Sequence, residues 1–81
     1  MGAELSYDNR GVTLGENIRR ERKAAGLTQR ALAQKAGITE LTLTKLELGQ
    51  ERNPKLRTVR RIARALDVGY DRIIPPHDAQ L

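Results

Sequence analysis

Cysteine, phenylalanine and tryptophan do not occur in this chain of 81 residues, and Tyr7 and Tyr70 are its only aromatic residues. The missing thiols exclude disulfides and thiolate metal sites. Two tyrosines offer no platform on which successive unpaired bases could stack, which argues against a binder of single strands. Histidine occurs once, as His77 in a proline-rich tail, with no ligand set or nucleophile around it. There is also no Gly-rich phosphate loop, so no cofactor, no metal and no enzymatic reaction are expected. No apolar run approaches the ~20 residues that cross a bilayer. The opening residues lack the basic start and apolar middle of a signal peptide. A cytoplasmic chain with no membrane partner is therefore expected.

What the chain does have is positive charge, with 15 Lys and Arg against 10 Asp and Glu and a formal net charge of +5. A basic balance favours duplex nucleic acid over an acidic protein, although an ordinary solvated surface can carry the same charge. The length allows one domain with one small core. Such a core needs efficient packing or a partner that adds buried surface.

Hydrophobic periodicity predicts an all-α domain. Residues 1–12 are aperiodic and read as a flexible arm, and residues 13–76 as the folded unit. A first helix over 14–25 carries Leu14, Ile18 and Ala25 on one stripe with Arg22, and ends at Gly26. Thr28 opens a second segment, 28–36, with Leu32, Ala33 and Ala36 inward. Gly37 and Ile38 separate it from a third, 39–48, which has Thr39 as a capping candidate, Leu43 and Leu46 inward, and Gly49 at its end. After a polar loop, Leu56, Val59, Ile62, Ala63 and Leu66 mark the clearest amphipathic stripe, in a fourth helix over 56–67. A fifth short helix is predicted over 70–74, closed by Pro75 and Pro76, and 77–81 reads as a disordered tail. No stretch alternates in the manner of a strand.

Two short helices joined by a tight Gly-containing turn make a helix-turn-helix, here 28–36 and 39–48 joined through Gly37 and Ile38. Around it stand Leu14, Gly15, Ile18, Arg19, Arg22, Lys23, Gly26, Leu27, Thr28, Gln29, Leu32, Ala33, Ala36, Gly37, Ile38, Leu46, Glu47, Gly49, Asn53, Pro54, Leu66, Asp67 and Val68. In that order and spacing, residues 14–74 resemble the lambda repressor/Cro-like family, the xenobiotic-response-element type of helix-turn-helix. The resemblance implies a compact five-helix DNA-binding domain and a regulator of transcription, paired on a palindromic operator. Repression is the expectation and activation the alternative.

With Leu43 and Leu46 inward, the opposite face of 39–48 carries the base-reading candidates Thr39, Glu40, Leu41, Thr44 and Lys45. Lys45 can donate to guanine, Glu40 can accept from the cytosine amino group, and Leu41 can pack on a thymine methyl. Glu40 has a second reading as an acid that complements the helix dipole. Leu41 has one as an exposed residue or a protein contact. Thr28 and Gln29, at a helix N-terminus, are phosphate candidates, Gln29 matching the family's phosphate-gripping glutamine. Arg52, Asn53 and Lys55 are candidates for a second phosphate. The resemblance further implies an ion pair between Arg22 and Glu47. Arg57, Arg60, Arg61 and Arg64 form a basic face read as solvated, with only Arg57 near the expected DNA backbone. Val68, Tyr70, Ile73 and Ile74 are candidates for a weak homodimer contact. The rival function is an antitoxin or co-activator-like module whose main partner is another protein, favoured by Leu41 and Leu48.

Overall fold

The computed structural model describes residues 13–51 and 53–75. The expected arm at 1–12 and tail at 77–81 lie outside the described residues, as do Arg52, Pro76 and His77. Four α-helices follow one another, and a single 3-10 turn closes the described chain. They are α1 (Leu14–Ala24), α2 (Gln29–Ala36), α3 (Glu40–Glu47), α4 (Leu56–Leu66) and the turn Tyr70–Arg72. Where a fifth helix was expected over 70–74, three residues of 3-10 turn suffice. Pro75 has no N–H with which to continue an α-helical ladder.

Local chemistry explains each start. The hydroxyls of Thr13, Thr28 and Thr39 accept from the backbone N–H groups of Glu16, Ala31 and Thr42 at 3.1, 3.0 and 3.0 Å. Each threonine thus stands outside its helix in extended conformation and satisfies an otherwise orphaned donor. Gly37 ends α2 in the left-handed region at φ 73°. A side chain there would oppose the tight turn that brings α3 across α2.

α4 has no side-chain cap and no acid in its first turn. Its arginines also stand at i, i+3 and i+4 spacings, where like charges oppose a helix by about 0.2–0.5 kcal/mol per pair. It persists because Val59, Ile62, Ala63, Ala65 and Leu66 are buried, so packing outweighs local preference.

Ile18, Leu32, Leu43, Ile62 and Ile73 are the largest fully buried apolar side chains. They draw one residue from each helix and one from the C-terminal segment, so a single layer of aliphatic groups joins all five elements. Leu14, Leu27, Ile38, Val68 and Ile74 pack around it half-buried. Two expected inward positions are corrected. Ala25 is exposed, because it is the cap residue of α1 rather than part of its last turn. Leu56 is 50% exposed, because it lies at the first position of α4, before the helix closes over the core.

Two buried polar residues on α1, unforeseen from the sequence, hold the C-terminal segment. Asn17 is fully buried and its amide donates to the Ile73 carbonyl at 2.8 Å. The Glu21 carboxylate accepts from Arg20 at 3.0 Å and from Arg72 at 3.1 Å. Arg20 also donates to the Asn17 side-chain oxygen and to the Arg72 carbonyl. Burial pushes the Glu21 carboxyl up, but the hydrogen bonds and charges of Arg20 and Arg72 together pull it further down. Its pKa lies below the ordinary 4.5.

Gly15 is buried where α1 crosses α3, and a methyl there would run into the carbonyl oxygen of Leu46 and stand 2.8 Å from that of Glu47. Gly15→Ala gains about 1 kcal/mol of helix propensity, yet overpacking typically costs about 1–3 kcal/mol. Because the contact is with backbone, we expect a net loss. The melting temperature should fall by roughly 4–8 °C per kcal/mol in a circular-dichroism melt. A rise would mean that α1 and α3 are free to separate.

A second outcome concerns pH. With its folded pKa below its unfolded one, Glu21 contributes stability above the unfolded value and loses it as pH falls through the folded one. The difference in melting temperature between the native chain and Glu21→Gln should be largest near neutrality and shrink on acidification below 4.5. A difference that does not vary with pH would show that the carboxylate is not held as a charge.

Candidate nucleic-acid interface

α3 is amphipathic in a simple sense, with Leu43 and Leu46 beneath it and Glu40, Leu41 and Lys45 on the exposed side. Leu41 is 63% exposed, and Leu48, two turns further on, is 64% exposed. None of the three outward residues packs beneath another part of the described chain. Thr39 does not stand free with them. Its hydroxyl caps the helix and also donates to the Thr42 hydroxyl at 2.8 Å.

Behind α3 the structure ties three helices to one carboxylate. Arg22 of α1 meets Glu47 of α3 side on, Nε to Oε2 at 2.7 Å and a terminal nitrogen to Oε1 at 3.0 Å. The third guanidinium nitrogen donates to the Leu27 carbonyl at 2.9 Å, so all three nitrogens of the fork are engaged. The side chains of Arg22 and Glu47 are 11% and 4% exposed.

Gln29 of α2 joins from the other side, its amide nitrogen donating to Glu47 Oε1 at 3.0 Å. A carboxylate can only accept, which fixes the amide orientation and turns the Gln29 oxygen toward Thr44. The Thr44 hydroxyl donates to that oxygen at 3.0 Å. Gln29, expected at a phosphate, and Thr44, expected at a base, are thus half-buried and bonded to one another. The sequence contained the signal for this in the spacing of Gln29, Thr44 and Glu47. Only the crossing of α2 and α3 makes it readable.

Thr28, the other phosphate candidate of that helix start, is exposed and holds the cap of α2. Asn53 and Lys55 lie together beyond α3, lining an open groove of about 270 Å³ with Thr42, Leu46, Glu51, Pro54 and Thr58. Glu51 was not among the expected residues, and it places a negative charge beside both. Arg52 falls outside the described residues.

The dimer candidates separate. Ile73 is fully buried in the core of the single chain and is corrected to a packing residue. Val68 and Ile74 are half-buried against that core. Tyr70 is 40% exposed, with the Arg60 guanidinium 5.9 Å from its ring centroid. Among the described residues no helix is long and apolar enough to cross a membrane, and no group of acidic, His or Cys side chains is arranged to hold a metal ion.

An exposed α3 over a buried cross-helix clasp, preceded by α2 across a Gly turn, defines a helix-turn-helix DNA-binding domain. The helix-turn-helix family model matches residues 18–73. The HTH-type transcriptional regulator y4dJ of Sinorhizobium fredii is 35% identical over 65 residues, 80% of this chain and 83% of that protein. Against RghRB of Bacillus subtilis, also 35% identical, the match spans 74% of this chain but only 43% of that regulator. Among solved structures, the restriction-modification controller C.AhdI from Aeromonas hydrophila superposes with a TM-score of 0.73 at 33% identity, over 78% of this chain and 94% of that one. SinR in complex with DNA superposes with a TM-score of 0.70 at 29% identity, over 73% and 94%. The chain belongs to the lambda repressor/Cro-like helix-turn-helix family of DNA-binding transcriptional regulators.

Removing Glu47 strands the Arg22 guanidinium, and breaking a buried pair in this way costs roughly 3–5 kcal/mol. We expect Glu47→Ala to lower both the melting temperature and the affinity for duplex DNA. Thr44→Val, which removes only the outermost hydrogen bond of the clasp, should leave the melting temperature within a few degrees. Loss of DNA binding by Glu47→Ala at an unchanged melting temperature would contradict the clasp.

Proposed function

We propose that the chain regulates transcription, as a repressor, by inserting α3 into the major groove of a palindromic operator, with one domain on each half-site. The observation that carries this reading is the outward face of α3. It holds one acceptor at Glu40, one apolar side chain at Leu41 and one cation at Lys45, none of them covered by the described chain. Lys45 donates to guanine O6 or N7, Leu41 packs on a thymine methyl, and Glu40 accepts from an exocyclic amino group. Thr44 has its proton committed to Gln29, which leaves its hydroxyl lone pairs to the DNA. On this reading Thr44 is an acceptor, and Glu40 and Thr44 together favour cytosine or adenine amino groups. Thr39 contributes through the helix start rather than through its hydroxyl.

The phosphates are held on either side of α3. Gln29 keeps one amide hydrogen beyond its bond to Glu47, and it lies next to Thr28 and the N-terminus of α2, where N–H groups and the helix dipole attract an anion. Asn53 and Lys55, with Arg52, hold the backbone beyond α3. The uncapped start of α4, which bears Lys55 and Arg57 and no acid, supports an anion there.

Two copies bind together through a weak contact at Val68 and Ile74, which stand half-buried beside the C-terminal turn. Duplex DNA is the main partner on this reading, and the chain acts in the cytoplasm, on the nucleoid while bound. It has no reaction of its own.

Selection of bound sequences from a random duplex library tests the assignment. A palindrome is expected, and Lys45→Ala should relax preference at one position per half-site by ~1–3 kcal/mol. A uniform loss at every position would place Lys45 on backbone instead. The affinity should also fall with salt, log K dropping by about 0.9 per phosphate neutralised. Binding that is no tighter for any selected sequence would favour a protein partner as the main one.

A further inference from the structure

We propose that the outward face of α4 is a second docking surface, which takes an acidic protein segment carrying apolar side chains alongside its carboxylates. Arg57, Arg60, Arg61 and Arg64 are all exposed and recur at i, i+3, i+4 and i+7. They therefore form one stripe about 10 Å long on the side opposite Val59, Ile62 and Leu66. Arg22 and Arg72 each reach a carboxylate within the chain. Among the described residues the four stripe arginines have no ion pair or hydrogen bond. The contact of Arg60 with the Tyr70 ring leaves its charge uncompensated and restrains the guanidinium where it can meet an incoming anion.

The occupant follows from what borders the stripe. Leu56 is 50% exposed and Tyr70 40% exposed. Leu56 lies one turn before Arg60, and Tyr70 lies under its guanidinium. A phosphate backbone offers nothing for these two side chains to cover. An amphipathic helix with glutamates at matching intervals and leucines beside them covers both. A duplex lying along α3 meets α4 at its start, near Arg57, and leaves Arg60, Arg61 and Arg64 clear. Thr58, not the stripe, shares the groove with Thr42 and Leu46, while the stripe runs toward the C-terminal turn. Among the described residues, a second copy of the chain offers the arginines no matching acidic surface. The exposed acids of the described residues, Glu16, Glu40, Glu51, Asp67 and Asp71, are scattered over different elements. The face is therefore suited to an acidic partner while α3 is occupied by DNA.

The test uses the full chain and three probes. The first is a labelled synthetic helical peptide with glutamates at i, i+3, i+4 and i+7 and leucines on the adjoining positions. The second is the same peptide with serines for the leucines, and the third is a random-sequence duplex. By fluorescence anisotropy, the leucine peptide should bind saturably to protein already saturated with duplex, and more tightly than the serine peptide. Arg61→Glu with Arg64→Glu should weaken the peptide by about tenfold or more and leave duplex affinity unchanged. Arg61→Gln with Arg64→Gln should act in the same direction with a smaller loss. Arg19→Glu with Lys23→Glu, an equal charge change on an exposed face of α1, should leave peptide binding within about twofold.

Equal losses from the stripe and control variants would reduce the effect to net charge and overturn the proposal. So would displacement of the peptide by duplex, equal binding of the two peptides, or loss of duplex affinity in the stripe variant. The last of these would assign the arginines to DNA. Duplex binding by the native chain is measured separately, so failure of the peptide arm does not touch the reading of α3.

Discussion

The Glu47 carboxylate is the constraint on which the interface depends. It is nearly inaccessible to water, and an unpaired charge in such a place would cost several kcal/mol, so the fold must deliver donors to it. It does so from two other helices, Arg22 of α1 and Gln29 of α2. The three helices can satisfy that carboxylate only in one mutual arrangement. A buried pair of this kind adds little to net stability. Its effect is positional, because it sets the height and rotation of α3 over the core, and hence which residues α3 turns outward. Apolar packing is too tolerant of small rotations to do this alone.

A second buried carboxylate, Glu21, performs the same task at the other end of the molecule. With Asn17 it binds the segment Arg72–Ile73 to α1, and Ile73 closes the bottom of the core. α1 is thus the common spine, carrying the clasp to α3 through Arg22 and the clasp to the C-terminal turn through Asn17 and Glu21. A core of aliphatic side chains without Phe or Trp buries comparatively little area, and polar clasps supply the uniqueness that such a core lacks. The separation has a functional consequence. α3 and the C-terminal turn are held independently, so contacts at one end need not disturb the other.

Much of this was legible in the chain. Leu32, Ala33, Leu43, Leu46, Val59, Ile62 and Leu66 could be assigned inward from spacing alone, since a helix of fixed period must bury the face on which its apolar residues recur. Threonines at 28 and 39 and glycines at 26, 37 and 49 marked the ends of helices through local chemistry that needs no distant partner. Positions near a helix end were less legible. Ala25 and Leu56 fit their stripes by period, yet they lie in the first or capping position, where the helix no longer covers them. Asn17 and Glu21 escaped notice because a polar residue among apolar ones reads as surface, and the partners that tie them to the C-terminal segment, Ile73 and Arg72, lie more than fifty residues along the chain.

Sequence by itself therefore determined where the four α-helices lie, the tight turn between α2 and α3, and which residues α3 could turn outward, because these follow from periodicity and from capping within a few residues; the expected fifth helix became a 3-10 turn. The tertiary structure decided which of those residues are free. It bound Gln29 and Thr44 into the clasp around Glu47, withdrew Ile73 into the core, and left Leu41, Lys45 and the α4 arginines exposed. The physical reason is that hydrogen bonding and burial between helices depend on crossing geometry, which no local pattern encodes.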